Sequence, residues 1–282
     1  MRIALVYHPR MARPRLAKVA RLMRVLDARG HITSLHDSMT FDAARDAPRA
    51  DLLCICGGDG TAQLVIARQA DPAALPPVAI YPTGTINLLA RELGYPADPV
   101  KFALRLEQAS EARPVPLAAI NGRAFLCCIS VGADAHAVAG LSEGLKARIG
   151  RLAYVAAMAR VLLNWRRHPI EVEHDNGTFT AEAIFILRGR FYAGPWTLDH
   201  AASLAEDHMR ILALPTARRR DVARVALHGL LGGKRPAAHW HSVASKRLSV
   251  RGAEAVAVQT DGDHAGTTPL EIAMTEHTVR FA

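Results

Sequence analysis

Two joined parts of α/β type are what this sequence predicts. Residues 1–115 read as a parallel sheet with alternating helices, and residues 116–282 as a β-rich, mainly antiparallel domain carrying two helices. Three observations predict it. Short apolar runs alternate with helix-like stretches up to about residue 108, the pattern of a parallel sheet with crossover helices. Two of those runs end in Gly/Thr turns that open directly into helix-like sequence. After Pro114-Val115-Pro116, which marks the expected boundary, short β-leaning runs take over.

The elements follow in order. Ile3 to Tyr7 predicts the first strand, Arg15 to Arg29 a basic amphipathic helix, Ile32 to Leu35 a second strand and Phe41 to Arg45 a short helix. Leu52 to Cys56 and Val78 to Tyr81 are the next strands, each followed by its turn and helix. Leu88 to Leu93 continues helically, with Gly94 at the C-cap position and Pro96 just beyond, the usual helix stop. A helix around Val100 to Gln108 closes the first part. In the second part, strands are expected at Ala124 to Val131, Ile170 to His174, Thr180 to Leu187, Met209 to Leu214, Lys246 to Val250 and Glu254 to Gln259. Helices are expected at Lys146 to Arg166 and Arg219 to Leu231. No internal repeat or low-complexity tract interrupts the pattern.

The chemistry concentrates in the two turns. Cys56-Gly57-Gly58-Asp59-Gly60-Thr61 follows the apolar run Leu52-Leu53-Cys54-Ile55-Cys56. Its glycines let the backbone approach a ligand closely, so that consecutive N–H groups can face an anion. The acid among them suits a metal–phosphate complex, or a group that orients a donor and an acceptor hydroxyl; an Asp-Gly turn ending a strand fits the same residues. The second turn, Pro82-Thr83-Gly84-Thr85-Ile86-Asn87, favours the ligand reading. Two strand–turn–helix units in series place both loops at the same edge of a parallel sheet, where open α/β sheets bind ligands. Thr61, Thr83, Thr85 and Asn87 supply short polar groups that reach phosphate or ribose oxygens.

Gly57-Gly58-Asp59-Gly60-Thr61, then Pro82-Thr83-Gly84-Thr85-Ile86-Asn87 with Ala90-Arg91 about twenty residues later, resembles the diacylglycerol kinase catalytic-domain family, which includes bacterial lipid kinases, sphingosine kinases and ceramide kinases. Gly132-Ala133-Asp134-Ala135 resembles the family's glycine–aromatic–Asp–Ala segment, Arg188-Gly189-Arg190-Phe191-Tyr192-Ala193-Gly194 its Asn-Gly-Arg-Tyr-Tyr-Gly-Gly stretch, and Thr260-Asp261-Gly262-Asp263 with Pro269-Leu270-Glu271-Ile272 its C-terminal Asp-Gly-Glu segment. The likeness runs along nearly the whole chain in the expected order. It implies a Rossmann-like nucleotide-binding domain followed by a β-sandwich-like, lipid-accepting domain, with the active site in the cleft between them. The implied reaction moves the γ-phosphoryl of ATP, with Mg²⁺, to a lipid hydroxyl such as that of diacylglycerol.

The resemblance also implies roles. Gly57, Gly58, Asp59, Gly60, Thr61, Gln63, Thr83, Gly84, Thr85 and Asn87 hold the nucleotide, and Asp59 lies near the transferring phosphate. The general base is Asp263, one methylene shorter than the family's Glu, with Asp261 as the fallback; a solvated hairpin turn fits the same three residues. Mg²⁺ in the family is held by the acid of an Asp-Gly pair and nearby backbone carbonyls; the matching groups are the Asp207 carboxylate, with His208 in place of the glycine, and the carbonyls of Leu204 and Met209. The chain departs from the family where Gln63-Leu64 replaces Asn-Glu, where Asn87-Leu88 replaces Asn-Asp, and where Arg188 replaces the Asn before Gly-Arg. Leu64 and Leu88 cannot replace acids. NAD kinase shares the Gly-Gly-Asp-Gly-Thr turn but is opposed by the Pro82 to Arg91 segment and by the lack of a downstream Asn-Glu motif. A non-catalytic nucleotide- or lipid-binding module is the other alternative.

Bulk properties bound the partners. The formal charge of +9 suits an anionic partner, although an Arg- and Ala-rich composition produces the same number. Nucleic acid ranks below a nucleotide or a membrane, because the charge comes without interleaved aromatics or a recognisable reader motif. Arg218-Arg219-Arg220, Val222, Val225, Ala226, Leu230, Leu231 and Lys234-Arg235 form a basic, partly amphipathic stretch. It fits either a helix lying on an anionic membrane surface or a packed helix with a solvated basic face; Lys146 to Arg167 is a longer alternative. The four cysteines, Cys54, Cys56, Cys127 and Cys128, sit in apolar runs and read as buried free thiols of a reducing compartment. His239-Trp240-His241 reads as a surface strand rather than a metal pair. The strand pattern begins at Met1-Arg2-Ile3 with no signal-peptide core, and no apolar stretch reaches the roughly 20 residues of a membrane span. A cytoplasmic, peripherally membrane-associated protein is expected, with room for a homodimer.

Overall fold

The computed structural model describes residues 1–109, 111–140, 157–161, 163, 166–233 and 239–282. The chain divides into two units, one made of Met1–Leu117 with Thr275–Ala282 and the other of Ala118–Met274. The break expected after residue 115 therefore falls slightly later, and the last eight residues of the chain return to the first unit. Pro114-Val115-Pro116 is not a linker; it lies inside a strand.

In the first unit the elements are β1 (Arg2–Tyr7), α1 (Arg13–Ala28), β2 (Ile32–Asp37), α2 (Ala43–Asp46), β3 (Leu52–Gly57), α3 (Asp59–Ala67), β4 (Val78–Pro82), α4 (Leu88–Glu92), α5 (Pro99–Gln108) and the start of β5 (Arg113–Ile120). The strands run parallel in the order β2-β1-β3-β4. Every residue of β3 and β4 is buried, which is why both read as continuous apolar runs rather than alternating ones. Helix α1 turns Val19, Leu22 and Leu26 inward, a row at helical spacing, and packs on α5, which buries Phe102, Ala103 and Leu106. Asp98 caps α5 by accepting from the amides of Val100 and Lys101. Because β1 is flanked by β2 on one side and β3 on the other, the connections leaving β1 and β3 run in opposite directions, the kind of strand-order reversal beside which open α/β sheets bind ligands.

The second unit contains β6 (Arg123–Phe125), β7 (Cys128–Val131), α6 (Ala133–Ala139), β8 (Ile170–His174), β9 (Gly177–Ala181), β10 (Ala183–Leu187), β11 (Phe191–Tyr192), β12 (Trp196–Thr197), β13 (Met209–Leu214), α7 (Arg219–Leu230), β14 (His241–Ser245), β15 (Arg247–Gly252), β16 (Ala257–Thr260), β17 (Asp263–Thr267) and most of the first half of β18 (Leu270–Phe281). Its pairings are antiparallel: β9-β8-β15-β18 in one sheet and β14-β13-β10-β7-β16-β17 in the other. Side chains at period two from both sheets, among them Ile170, Val172, Ile184, Ile186, Ile211, Leu248, Val250 and Val258, meet in one buried cluster. That is sandwich packing.

Two expected strands are each split. The run Ala124 to Val131 breaks at Leu126-Cys127, because the Asp261 carboxylate takes the amides of Leu126, Cys127 and Cys128 at 2.8–2.9 Å. The run Thr180 to Leu187 breaks at Glu182, where the chain passes from β9 in one sheet to β10 in the other. The helix expected from Lys146 lies largely outside the described residues, although residues 157–161 are helical. His239-Trp240-His241 does not form a strand: only His241 does, while Trp240 is buried against the His228 ring at 5.4 Å.

Candidate active site

The two glycine turns meet. Gly57 ends β3, Gly58 is the N-cap of α3, and the second turn follows β4 directly. The amide of Thr83 donates to the Gly57 carbonyl at 3.1 Å. A Cβ placed on Gly84 would lie 2.7 Å from the Gly58 Cα, and one on Gly58 3.3 Å from the Gly84 Cα, so this backbone-to-backbone approach excludes a side chain at Gly84 and leaves little room for one at Gly58. Asp59 supplies the cross-link: its Oδ2 accepts from the Leu88 amide at 2.9 Å and its Oδ1 from the Leu89 amide at 2.8 Å. The acid of the first turn thereby satisfies two of the amides that the first turn of α4 leaves without an intrahelical partner. Asp59 is 7% exposed; these two bonds make it the clasp between the turns.

The second turn is shaped by Asn87, which adopts a left-handed backbone (φ 55°) that asparagine tolerates better than most residues. Its Nδ2 donates to the Gly84 carbonyl at 2.9 Å. Its Oδ1 and the Oγ1 of Thr83 are buried and have no partner. Orphaned buried polar atoms are uncommon because each costs about 1–3 kcal/mol, and a pair of them within one turn marks a place made for a polar ligand. Thr85, exposed in the same turn, accepts from Arg15 Nη2 at 3.1 Å. Arg15 was not singled out from sequence, yet a signal existed: α1 has basic residues and no acid in its first turn, where the helix dipole favours negative charge. An anion near that end removes the conflict. Thr61 and Gln63 lie within α3 and are half-buried, as is Leu64. The glycine cradle, the Thr83 hydroxyl and the Arg15 guanidinium suit a polyphosphate, and the Asn87 amide oxygen, which only accepts, suits a hydroxyl such as that of a ribose.

The acids of the second unit separate into different tasks. Asp261, in a left-handed conformation (φ 49°) at the β16–β17 corner, is buried under its three amide donors. It fastens the β6–β7 link and is a poor fallback base. Asp263 opens β17 and is exposed, accessible as a proton acceptor should be. Asp134, at the start of α6, accepts from the hydroxyls of Ser130 at 2.5 Å and Tyr192. Burial pushes its carboxyl above the usual carboxylate range, against the pull of those two donors. Tyr192 accepts in turn from Gln259 Nε2 at 3.3 Å, and Gln259 Oε1 accepts from the Gly262 amide at 2.8 Å. A buried chain of hydrogen bonds thus runs from α6 to the residue beside Asp263.

The metal ligands expected by resemblance do not assemble. The Leu204 carbonyl accepts from Arg188 Nη2 at 3.1 Å. The Asp207 carboxylate pairs with Lys246 Nζ at 2.5 Å, and that bond holds its pKa below the ordinary value. Met209 opens β13 and is fully buried. These groups do not offer the set of open oxygens that Mg²⁺ requires. No group of three or more His, Cys, Asp or Glu suited to a metal exists among the described residues.

The chain is similar in sequence and in fold to known proteins. Residues 2–120 match the family described as Diacylglycerol kinase catalytic domain. A Bacillus subtilis (strain 168) protein named Diacylglycerol kinase is 27% identical over 279 residues, which cover 96% of this chain and 92% of that protein. A Pseudomonas aeruginosa (strain UCBPP-PA14) protein named "Probable lipid kinase YegS-like" is 31% identical over 224 residues, 76% of this chain and 69% of that protein. The crystal structure of a diacylglycerol kinase from Bacillus anthracis str. Sterne shares the fold with a TM-score of 0.75, covering 100% of this chain and 97% of that chain at 20% identity.

Proposed function

This chain belongs to the diacylglycerol kinase catalytic-domain family, and we propose that it transfers the γ-phosphoryl group of ATP to a hydroxyl of a membrane lipid, diacylglycerol first among them. One observation carries the reading: two Gly/Thr turns touch at the carboxyl edge of a parallel sheet, and two buried polar atoms in the second turn await partners.

Phosphoryl transfer leaves a protein little covalent work beyond positioning and charge stabilisation. The acceptor oxygen bonds to the γ-phosphorus as the bond to the β,γ-bridging oxygen breaks, and ADP departs with that oxygen. The acceptor's proton passes to Asp263. Amides at the start of α3, the hydroxyls of Thr61, Thr83 and Thr85, and the Arg15 guanidinium hold the polyphosphate. Asp59 acts as a positioning residue that keeps the two turns in register. The nucleotide brings its own Mg²⁺, which neutralises phosphate charge.

The lipid is met at a surface. No helix among the described residues is long and apolar enough to cross a membrane. Helix α7 buries Asp221, Val225 and Gly229 and exposes Leu227, Leu230 and, just past its end, Leu231. Arg219, Arg220 and Arg224 are exposed on the same helix. Val225 packs inward, and Lys234-Arg235 lies outside the described residues. Exposed leucines following exposed arginines suit an anionic bilayer, where each basic residue contributes about 1 kcal/mol.

The test incubates the protein with γ-labelled ATP, Mg²⁺ and either vesicles carrying a panel of lipids or NAD. Label in lipid, abolished in Asp263→Ala while ATP binding persists, supports the reading; a Leu227→Ser/Leu230→Ser/Leu231→Ser variant should lose vesicle binding and keep its melting temperature. Label in NAD selects an NAD kinase. A second reading, a nucleotide-binding module without turnover, has one observation in its favour: Leu64 and the buried Leu88 stand where the family carries acids. ATP binding with no transfer to any acceptor selects it.

A further inference from the structure

The loop between β12 and β13 is built around a positive charge that the chain itself supplies. Arg188 directly follows β10 and is 1% exposed. Its Nη1 donates to the backbone carbonyls of Glu206 at 2.9 Å and His208 at 2.7 Å, and its Nη2 to that of Leu204 at 3.1 Å. Three carbonyl oxygens from five consecutive residues therefore converge on one cation. Such convergence is how irregular backbone binds a hard metal ion, and here a guanidinium occupies the centre. Two further ion pairs fasten the same segment from outside: Arg210 Nε to Asp199 Oδ2 at 2.9 Å, and Lys246 Nζ to Asp207 Oδ2 at 2.5 Å.

We propose that Arg188 is the resident cation of this loop, taking the Leu204 carbonyl that the family resemblance gives to a divalent metal together with those of Glu206 and His208, so that residues 204–208 keep their shape without Mg²⁺. A guanidinium fits the role. It is planar, carries five N–H donors and is weakly hydrated for a cation, so it can be buried among carbonyls where an ammonium or a bare ion would lose more hydration. Burial lowers its pKa to about 10, which leaves it charged at neutral pH. A divalent ion among the same carbonyls would lie beside that fixed charge and be repelled. The consequence is a loop whose order does not follow the concentration of free Mg²⁺. Any magnesium requirement of the protein then belongs to the nucleotide alone.

The proposal is tested on the wild-type protein first, by metal analysis after purification and by melting and amide hydrogen exchange with EDTA and then with millimolar Mg²⁺. No stoichiometric divalent metal, an unchanged Tm and unchanged protection of residues 199–208 are expected. Loss of stability or of loop protection on chelation, or stabilisation by Mg²⁺ without nucleotide, overturns it. Arg188→Asn restores the family's residue and frees the three carbonyls; its Tm should fall by about 10 °C and recover in part with Mg²⁺. A variant as stable as wild type without metal, or one that is destabilised and ignores Mg²⁺, counts against the equivalence of guanidinium and ion. Should Arg188→Asn fail to fold, the chelation and exchange measurements on the wild type decide. None of these readouts depends on turnover, so they stand apart from the kinase reading.

Discussion

Asp59 and Thr83 are held in opposite ways. Asp59 has two amides on its carboxylate, each 2.8–2.9 Å away, while the Thr83 hydroxyl is buried with none. Replacing Asp59 by Asn keeps the shape but puts an NH2 donor in place of one acceptor oxygen, so that one of the two amides loses its partner. A loss of about 1–3 kcal/mol in chemical denaturation is expected, together with weaker ATP binding, because the turns lose their clasp. Thr83→Val does the reverse. The free protein loses no hydrogen bond and should be as stable as before, or slightly more so, whereas ATP affinity should fall by about tenfold, one hydrogen bond's worth. Isothermal titration separates the two variants; an unchanged affinity in Thr83→Val would mean that the orphaned hydroxyl does not serve the nucleotide. The acids of the second unit differ as well, since Asp261 is buried and held by three amides while Asp263 is exposed.

Between elements, the fastening of α5 to the α1–β2 corner shows how charge enters the packing of the first unit. Glu107 at the end of α5 takes a two-pronged contact from Arg29, at 2.5 and 2.7 Å, and a third from His31 at 3.1 Å. The Arg29 hydrogen bonds hold its carboxyl down at about 2, against an ordinary 4.5. A carboxylate with a depressed folded pKa contributes stability that is present above its unfolded value and is lost as pH falls through the folded one. The melting difference between wild type and Glu107→Gln should therefore be visible near neutral pH, shrink below about pH 4.5 and vanish near pH 2. The pair is partly exposed, so high salt should narrow the difference as well. A difference that stays constant across that range would locate the effect in packing instead. Helix α7 illustrates the limit of a helical pattern: its period was readable, but which leucines face outward depended on how Val225 and Gly229 seat it.

At the scale of the whole molecule, the chain's last residues complete its first unit. Phe281 pairs with Val78 of β4, the Ala282 amide donates to the Val78 carbonyl at 2.9 Å, and Val279 and Phe281 are buried. Truncation after Met274 removes Val279 and Phe281 from the first unit and should destabilise that unit by several kcal/mol, on the order of two lost core side chains. Limited proteolysis can read this directly: residues 1–117 should become the more quickly cut part, and equal resistance would refute the assignment. Much was legible beforehand. Parallel strands buried on both faces show as apolar runs, and turns that need close backbone approach show as glycines, so β1 to β4 and both ligand turns could be read from local pattern. The same locality explains the family likeness at Gly57–Thr61 and Pro82–Asn87. What the sequence could not carry were partnerships between residues far apart in the chain. Asp59 clasping Leu88 and Leu89, Asp261 splitting one strand into two, Arg188 filling the Leu204–His208 loop, and β18 returning to β4 all depend on which distant groups meet. Periodicity and turn chemistry are properties of neighbours along the chain and are written there; the partner of a buried charge or amide is chosen by desolvation, which acts only once the fold has brought the candidates together.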